Sequence, residues 1–117
     1  MCIRDRFDTS GLKRQVMGDA EFLAEQLDFF RRFYPNQLAQ IREGIELEDG
    51  VHVREWAHQL SGSLSAFHAT IARDTAKAIE AFGRENQISK AADLRPRLEQ
   101  QIVELCEAVE RLIEEIG

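Results

Sequence analysis

Residues 94–116, LRPRLEQQIVELCEAVERLIEEI, indicate the fold class most clearly, because their apolar side chains recur at steps of three and four. This spacing places one apolar stripe along a long helix that begins near Ser89. The stripe consists of Leu94, Leu98, Ile102, Leu105, Val109, Leu112 and Ile116. Pro96 stands early enough in the pattern to kink or restart the helix rather than end it. The stretch therefore predicts an amphipathic helix with one buried face.

The same spacing recurs upstream, interrupted only by short breaks. It predicts helices over residues 9–17, from the N-cap Asp19 to about Tyr34, from Leu38 to a break at 48–50, over 51–69 and over 70–85. Pro35 is predicted to separate the second helix from the third. The predicted stripes are Phe22, Leu23, Leu27, Phe30, Phe33 and Tyr34; Leu38, Ile41, Ile45 and Leu47; and Val53, Trp56, Ala57, Leu60, Leu64, Phe67 and Ile71.

Four long amphipathic helices with short connections predict an all-α protein. The expected architecture is an antiparallel up-and-down four-helix bundle with short additional N-terminal and connecting helices. Residues 1–8 are assigned to an N-terminal tail and residues 9–117 to the bundle domain. The length of 117 residues suits one domain with a modest core.

Charge and cysteine content narrow the class of partner. The formal net charge is −6, which disfavours binding to nucleic acid or to an anionic membrane surface. Cys2 and Cys106 show no spacing typical of a metal site or of a disulfide framework. No apolar run approaches the length of a membrane span. We therefore expect a cytoplasmic protein without a nucleic-acid or membrane partner.

The segment AHQLSGSLSAFHA, residues 57–69, contains poor helix formers in the middle of a predicted helix. On a helical wheel at about 100° per residue, His58 lies about 160° from Leu60 and points to solvent. The same side carries Arg54, Glu55, Ser61, Gly62 and Ser65. Gly62 costs about 1 kcal/mol relative to alanine and leaves the imidazole one turn earlier uncovered. This pattern indicates an exposed imidazole on a small-residue surface, available to a docking partner.

Residues 57–63, AHQLSGS, resemble the AH-x-LKGS signature of histidine phosphotransfer (HPt) domains. The likeness extends to segments 18–23 and 38–49 and from residue 98 onward. It implies that His58 accepts a phosphoryl group from a phospho-aspartate on a response-regulator receiver domain and passes it to another receiver. A hybrid sensor histidine kinase is a further candidate partner. Glu80 occupies the position from which this family orients the imidazole.

The resemblance also implies what this chain lacks. It would be a phosphocarrier without kinase activity, it would bind no cofactor or metal itself, and Mg²⁺ would belong to the receiver. A monomer is expected. The chain departs from the family pattern at two places: Ser61 replaces the usual lysine, and Phe67 and His68 precede Ala69 where a glycine usually precedes the alanine. Arg54 is the nearest replacement for the missing cation.

Other functions remain open from the sequence. A degenerate domain could dock receivers without carrying phosphate. Residues 55–58 also read Glu-x-x-His, as in di-iron bundles, but neither His52 nor His68 has a glutamate three residues earlier. A plain helical adaptor gives no reason for Gly62. If a receiver does bind, the sequence places its contacts on the small-residue face, with Leu64 or Phe67 as candidate apolar contacts at the rim.

Overall fold

The computed structural model describes residues 20–116, and this part of the chain folds into four α-helices. The helices are α1 (Ala20–Glu46), α2 (Gly50–Ser65), α3 (Thr70–Arg84) and α4 (Ile88–Ile116). Each helix packs mainly against its neighbours in the chain, and α4 returns to pack against α1. The predicted all-α bundle is therefore confirmed. The tail at residues 1–8, the helix over 9–17 and the N-cap Asp19 lie outside the described residues.

The core is formed by one buried stripe from each helix. The α4 stripe is buried from Leu98 to Leu112 as the sequence predicts, whereas its end residues Leu94 and Ile116 are half-buried. Pro96 lies inside the helix without ending it. The largest fully buried side chains come from all four helices: Leu23, Ile41, Val53, Leu60, Leu64, Ile79, Leu98, Ile102, Val109 and Leu112. Each stabilises the fold by roughly 1.5 to 3 kcal/mol through removal of apolar surface from water. Cys106 is also buried, and burial raises the pKa of its thiol.

The predicted helix break at Pro35 is wrong, because α1 continues through the proline to Glu46. A proline inside a helix removes one hydrogen bond and costs about 3 kcal/mol. Pro35 is exposed, while the residues on either side of it keep a continuous buried stripe that includes Phe30, Leu38 and Ile41. Packing of this stripe into one core offsets the local cost. The second and third predicted helices are therefore a single helix.

Two aromatic residues of α1 do not lie in the core as predicted. Phe22 and Phe33 are 44% and 51% exposed, and Phe29 is 62% exposed. These residues follow one another at steps of seven and four, so they form a second stripe beside the buried one. The apolar arc of α1 is therefore wider than the core contact needs.

The predicted end of α2 at Ala69 is also wrong, because the helix ends at Ser65. His68 has a φ of 54°, in the left-handed region that interrupts an α-helix. Phe67 is buried in the resulting turn, as predicted, but Ile71 is 38% exposed in the next helix. At its other end α2 is capped by Asp49, whose side chain accepts a hydrogen bond from the backbone N–H of His52.

Helices α2 and α3 approach each other most closely at two glycines. A Cβ on Gly83 would lie 2.8 Å from the backbone nitrogen of Arg54 and 2.9 Å from the carbonyl oxygen of Gly50. Such distances leave no room for a side chain, so the two backbones are nearly in contact. This approach fixes the register of α2 against α3 and brings His58 opposite Glu80.

Candidate functional site

His58 is presented by a helix that the core holds in a fixed orientation. Its neighbours Ala57 and Leu60 are fully buried, whereas the His58 side chain is 73% exposed. Because a helix turns by about 100° per residue, burial of these two neighbours directs the imidazole to solvent. The predicted exposure of His58 is confirmed.

Glu80 of α3 lies opposite the imidazole, in the position expected from the sequence. Its Oε2 is 3.2 Å from Nδ1 of His58, and the Glu80 side chain is only 16% exposed. A carboxylate oxygen accepts hydrogen bonds, so Nδ1 carries the proton and donates it in this contact. The lone pair of Nε2 is then free on the exposed side of the ring. This tautomer makes Nε2 the nucleophilic nitrogen of the ring.

A third residue, Arg84, holds the same carboxylate. Its guanidinium lies 3.4 Å from Oε2 of Glu80, one turn further along α3. Arg84 was not among the site residues predicted from the sequence. The sequence could have indicated Arg84, because it follows Glu80 by four residues and this spacing places both side chains on one face of a helix. Arg84 therefore belongs to the site through both its contact and its charge.

The imidazole borders an open concavity of about 400 Å³ between α2 and α3. Its lining consists of Arg54, Glu55, His58, Gln59, Glu80 and Arg84. Two arginines and two glutamates surround the histidine, so a tetrahedral anion at Nε2 would meet charges of both signs. Arg54, selected from the sequence as the nearest cation, does lie in this concavity.

The predicted position of Ser61 on the exposed face is wrong. Ser61 is only 4% exposed, and its hydroxyl donates a hydrogen bond of 2.9 Å to the carbonyl oxygen of His58. It lies on the same stripe of α2 as Gly50 and Ala57, and Gly50 is in close contact with α3. The close packing of α3 covers this flank of the helix. A lysine at position 61 would start from a buried Cα, so its side chain would have to extend past the neighbouring helix to bring its charge to the surface.

The other small residues of α2 lie where the sequence predicts them. Gly62 is exposed, and a Cβ on it would meet nothing within 4 Å. Ser65 is exposed, and its hydroxyl donates to the carbonyl oxygen of Ser61 at 3.0 Å. Leu64 and Phe67, proposed from the sequence as apolar contacts for a receiver, are instead 0% and 3% exposed. Both are core residues with almost no exposed surface of their own.

The di-iron alternative needs further metal ligands close to His58. Within residues 20–116 no three His, Cys, Asp or Glu side chains lie close enough together to hold a metal ion. His52 lies 2.9 Å from Oε1 of Gln40 through its Nε2, and His68 belongs to the turn after α2. The Glu-x-x-His spacing at residues 55–58 therefore has no matching ligands in the described part of the chain. None of the four helices has the length and apolar character to cross a membrane.

Comparison with known proteins assigns the chain to a family. No curated protein sequence gives a significant match. The crystal structure of histidine-containing phosphotransfer protein B (HptB) from Pseudomonas aeruginosa PAO1 matches 94% of this chain and 96% of its own, with a TM-score of 0.84. The two sequences are 17% identical, so this likeness concerns the fold. The family model described as Hpt domain matches residues 25–115, which include both His58 and Glu80. The chain therefore belongs to the family of histidine phosphotransfer (Hpt) domains.

Proposed function

We propose that His58 is the phosphoryl-accepting residue of this Hpt domain and that its donors and acceptors are receiver domains of response regulators or of a hybrid sensor histidine kinase. As a member of its family, the chain is a histidine-containing phosphocarrier of a phosphorelay. The observation that supports His58 is its geometry: an exposed imidazole whose Nδ1 is bound to Glu80 and whose Nε2 is free. We also propose that the protein is a monomer and that it acts in the cytoplasm.

The transfer step follows from this tautomer. The lone pair of Nε2 attacks the phosphorus of a receiver's phospho-aspartate in line with the scissile bond. An N–P bond forms, the P–O bond to the aspartate breaks, and the carboxylate leaves with the bonding electrons. The Nδ1 proton stays on the ring, so the phosphorylated imidazole is cationic and its Nδ1–H still donates to Glu80. The reverse sequence transfers the phosphoryl group to the next receiver.

The charges around His58 suit a group that is bound only transiently. Arg54 and Arg84 line the concavity and offset part of the phosphoryl charge. Glu55 and Glu80 oppose it, so the phosphoryl group is not trapped by a surplus of cations. Ser61 stands where the family usually has a lysine. It adds no charge, and its hydroxyl instead donates a hydrogen bond to the carbonyl oxygen of His58. Any Mg²⁺ that the transfer needs would be held by the receiver domain.

The proposal is tested by incubating the chain with a phosphorylated receiver domain. We expect an acid-labile, alkali-stable phosphoryl label on the chain, because a phosphoramidate is stable to base and hydrolysed in acid. Receivers that bind the chain with no such label on it would contradict a carrier role at His58 and would indicate a docking adaptor. Stoichiometric iron or zinc in the purified protein, measured by elemental analysis, would also overturn the assignment, because it would indicate a metal-binding bundle.

Removal of the Glu80 carboxylate is expected to slow phosphorylation of His58. In Glu80→Ala the ring loses the acceptor that keeps the proton on Nδ1, and a hydrogen bond to a charged group stabilises by about 1.5 to 3 kcal/mol. The rate constant of transfer should therefore fall by roughly 10- to 100-fold. Rapid-quench measurement of single-turnover transfer checks this, with Glu80→Gln as the control that retains an acceptor oxygen. Equal rates in the parent and Glu80→Ala would exclude an orienting role.

A further inference from the structure

Arg54 is a cation beside His58 whose guanidinium has no partner in the described part of the chain. Its side chain lines the same concavity as the imidazole, and within residues 20–116 it forms no side-chain hydrogen bond or ion pair. Arg84, the other arginine of the concavity, lies 3.4 Å from the carboxylate of Glu80. The charge of Arg84 is therefore partly offset, whereas the charge of Arg54 is available to an anion.

The position of Arg54 on α2 brings this charge close to the acceptor nitrogen. Arg54 precedes His58 by four residues, which is about one helical turn. Side chains at this spacing are neighbours on the helix surface, with Cβ atoms about 5 to 6 Å apart. The long arginine side chain can follow the helix to the exposed Nε2 of His58. A phosphoryl group on this nitrogen would lie within reach of the guanidinium.

Contact between α2 and α3 fixes the backbone from which Arg54 projects. A Cβ on Gly83 would lie 2.8 Å from the backbone nitrogen of Arg54, so the two helices touch at this residue. The same contact brings Glu80 opposite His58. The Arg54 side chain is half-buried, so part of its conformational freedom is already lost in the folded protein. The cation is therefore partly preorganised, which lowers the entropy cost of binding an anion.

The other side of the imidazole carries no charge on α2. Ser61, three residues after His58, is 4% exposed, and its hydroxyl donates to the carbonyl oxygen of His58. Gly62 and Ser65, the next small residues of this helix, are also uncharged. Arg54 is the one arginine or lysine between Gly50 and Ser65. A cation for the phosphoryl group can therefore come from α2 only through Arg54.

The chemistry of a guanidinium suits this role. It is planar, it stays charged at physiological pH, and its paired N–H donors match two oxygens of a phosphoryl group. During transfer, negative charge is spread over the three oxygens that are not bonded to the donor or to the acceptor. A guanidinium bound to these oxygens stabilises the phosphorylated histidine, and it leaves the N–P bond free to break.

We infer that Arg54 binds the phosphoryl oxygens of phosphorylated His58 directly and provides the positive charge that is missing at Ser61. This inference rests on the proposed function and names a further residue of the same site. Arg84 acts at a different atom, because it contacts the Glu80 carboxylate that accepts from Nδ1. The cation then approaches the phosphoryl group from the N-terminal side of α2, and the surface at Gly62 stays uncharged.

The first measurement needs no receiver domain. The parent, Arg54→Gln and Arg54→Lys are phosphorylated with phosphoramidate, and the pKa of the phosphoryl group is measured by ³¹P NMR titration. A guanidinium beside the phosphoryl group favours its dianion, so Arg54→Gln should raise this pKa by about 0.5 pH unit or more. Arg54→Lys should restore part of the difference. The matched control Arg111→Gln removes the same charge from an exposed position on α4 and should leave this pKa unchanged.

The second measurement is transfer from a phosphorylated receiver. The single-turnover rate constant should fall by about tenfold in Arg54→Gln, because a charge-assisted contact to the transferring group is lost. Arg54→Lys should recover part of this rate, and Arg111→Gln should transfer like the parent. Thermal unfolding of each variant, together with the Kd for the unphosphorylated receiver, separates loss of the contact from loss of the fold or of docking.

An Arg54→Gln variant with the phosphoryl pKa of the parent would overturn the inference. An unchanged phosphoryl pKa with a raised Kd would overturn it by showing that Arg54 contacts the receiver and not the phosphoryl group. A raised phosphoryl pKa in Arg54→Gln, partly reversed in Arg54→Lys, supports the direct contact. Failure of the proposed function looks different, because the parent itself then gives no ³¹P signal of a phosphohistidine. That result would overturn both, whereas a phosphorylated parent with an unchanged variant overturns the role of Arg54 alone.

Discussion

Replacing His58 by glutamine is expected to abolish phosphoryl transfer to the chain. The glutamine side chain is polar and of similar length, but its amide nitrogen has no available lone pair to attack phosphorus. The His58 side chain is 73% exposed and has its hydrogen bond to Glu80 as its polar contact with α3. Because the imidazole is largely exposed, loss of this contact should lower the free energy of unfolding by about 1 kcal/mol or less. Transfer should fall to background while the bundle stays folded.

Labelling by a phosphorylated receiver, followed in parallel with thermal unfolding, measures both effects. His52→Gln and His68→Asn are suitable controls, since asparagine tolerates the left-handed conformation that His68 adopts. Both controls should be labelled like the parent. Retention of acid-labile label by His58→Gln, or its loss from one of the controls, would place the acceptor elsewhere.

Replacing Gly62 by glutamine is expected to stabilise the protein and impair its function. A side chain at this position meets no neighbour, so removal of a helical glycine should raise the free energy of unfolding by up to about 1 kcal/mol. The thermal midpoint should rise by a few degrees, since an unfolding entropy of about 2.1 cal/mol/K per residue corresponds to about 4 °C per kcal/mol for this chain. The same side chain would project beside the imidazole one turn earlier, where the receiver must approach. We expect transfer from the receiver to slow by roughly tenfold or more.

A graded pair of variants separates sterics from stability. Gly62→Ala should give the same or a larger gain in stability with a smaller loss of transfer, because it adds only one methyl group. Stopped-flow transfer assays and thermal unfolding on both variants provide the comparison. Transfer by Gly62→Gln at the rate of the parent would show that the receiver does not pass over this position.

The sequence was sufficient for the parts of the structure that repeat at regular spacing. The α4 stripe from Leu98 to Leu112 predicts both the helix and its buried face, because a period of three and four residues has one geometric interpretation. The same rule predicts the outward direction of His58. The pairing of His58 with Glu80 came from the family resemblance, since no local pattern specifies which residues of two helices meet.

Features that depend on packing between helices were not predicted correctly. The wheel of α2 places Ser61 on the same side as His58, but Ser61 is only 4% exposed, because burial also depends on the neighbouring helices that pack beside it. Pro35 shows the opposite effect, because core packing retains a helix that the local rule ends. The exposure of Phe33 has the same cause, because an apolar residue at the edge of a stripe is buried only where the neighbouring helix covers it. In each case tertiary packing outweighs local preference.

The most direct test of His58 as the acceptor is to locate phosphorus on the phosphorylated parent by long-range ¹H–¹⁵N NMR of its histidine rings. The structure binds Nδ1 of His58 to Glu80 and leaves Nε2 exposed. The predicted result is a single phosphorylated ring, that of His58, with phosphorus on Nε2 and a proton on Nδ1. Phosphorus on Nδ1 of His58, or on any other residue, would contradict it.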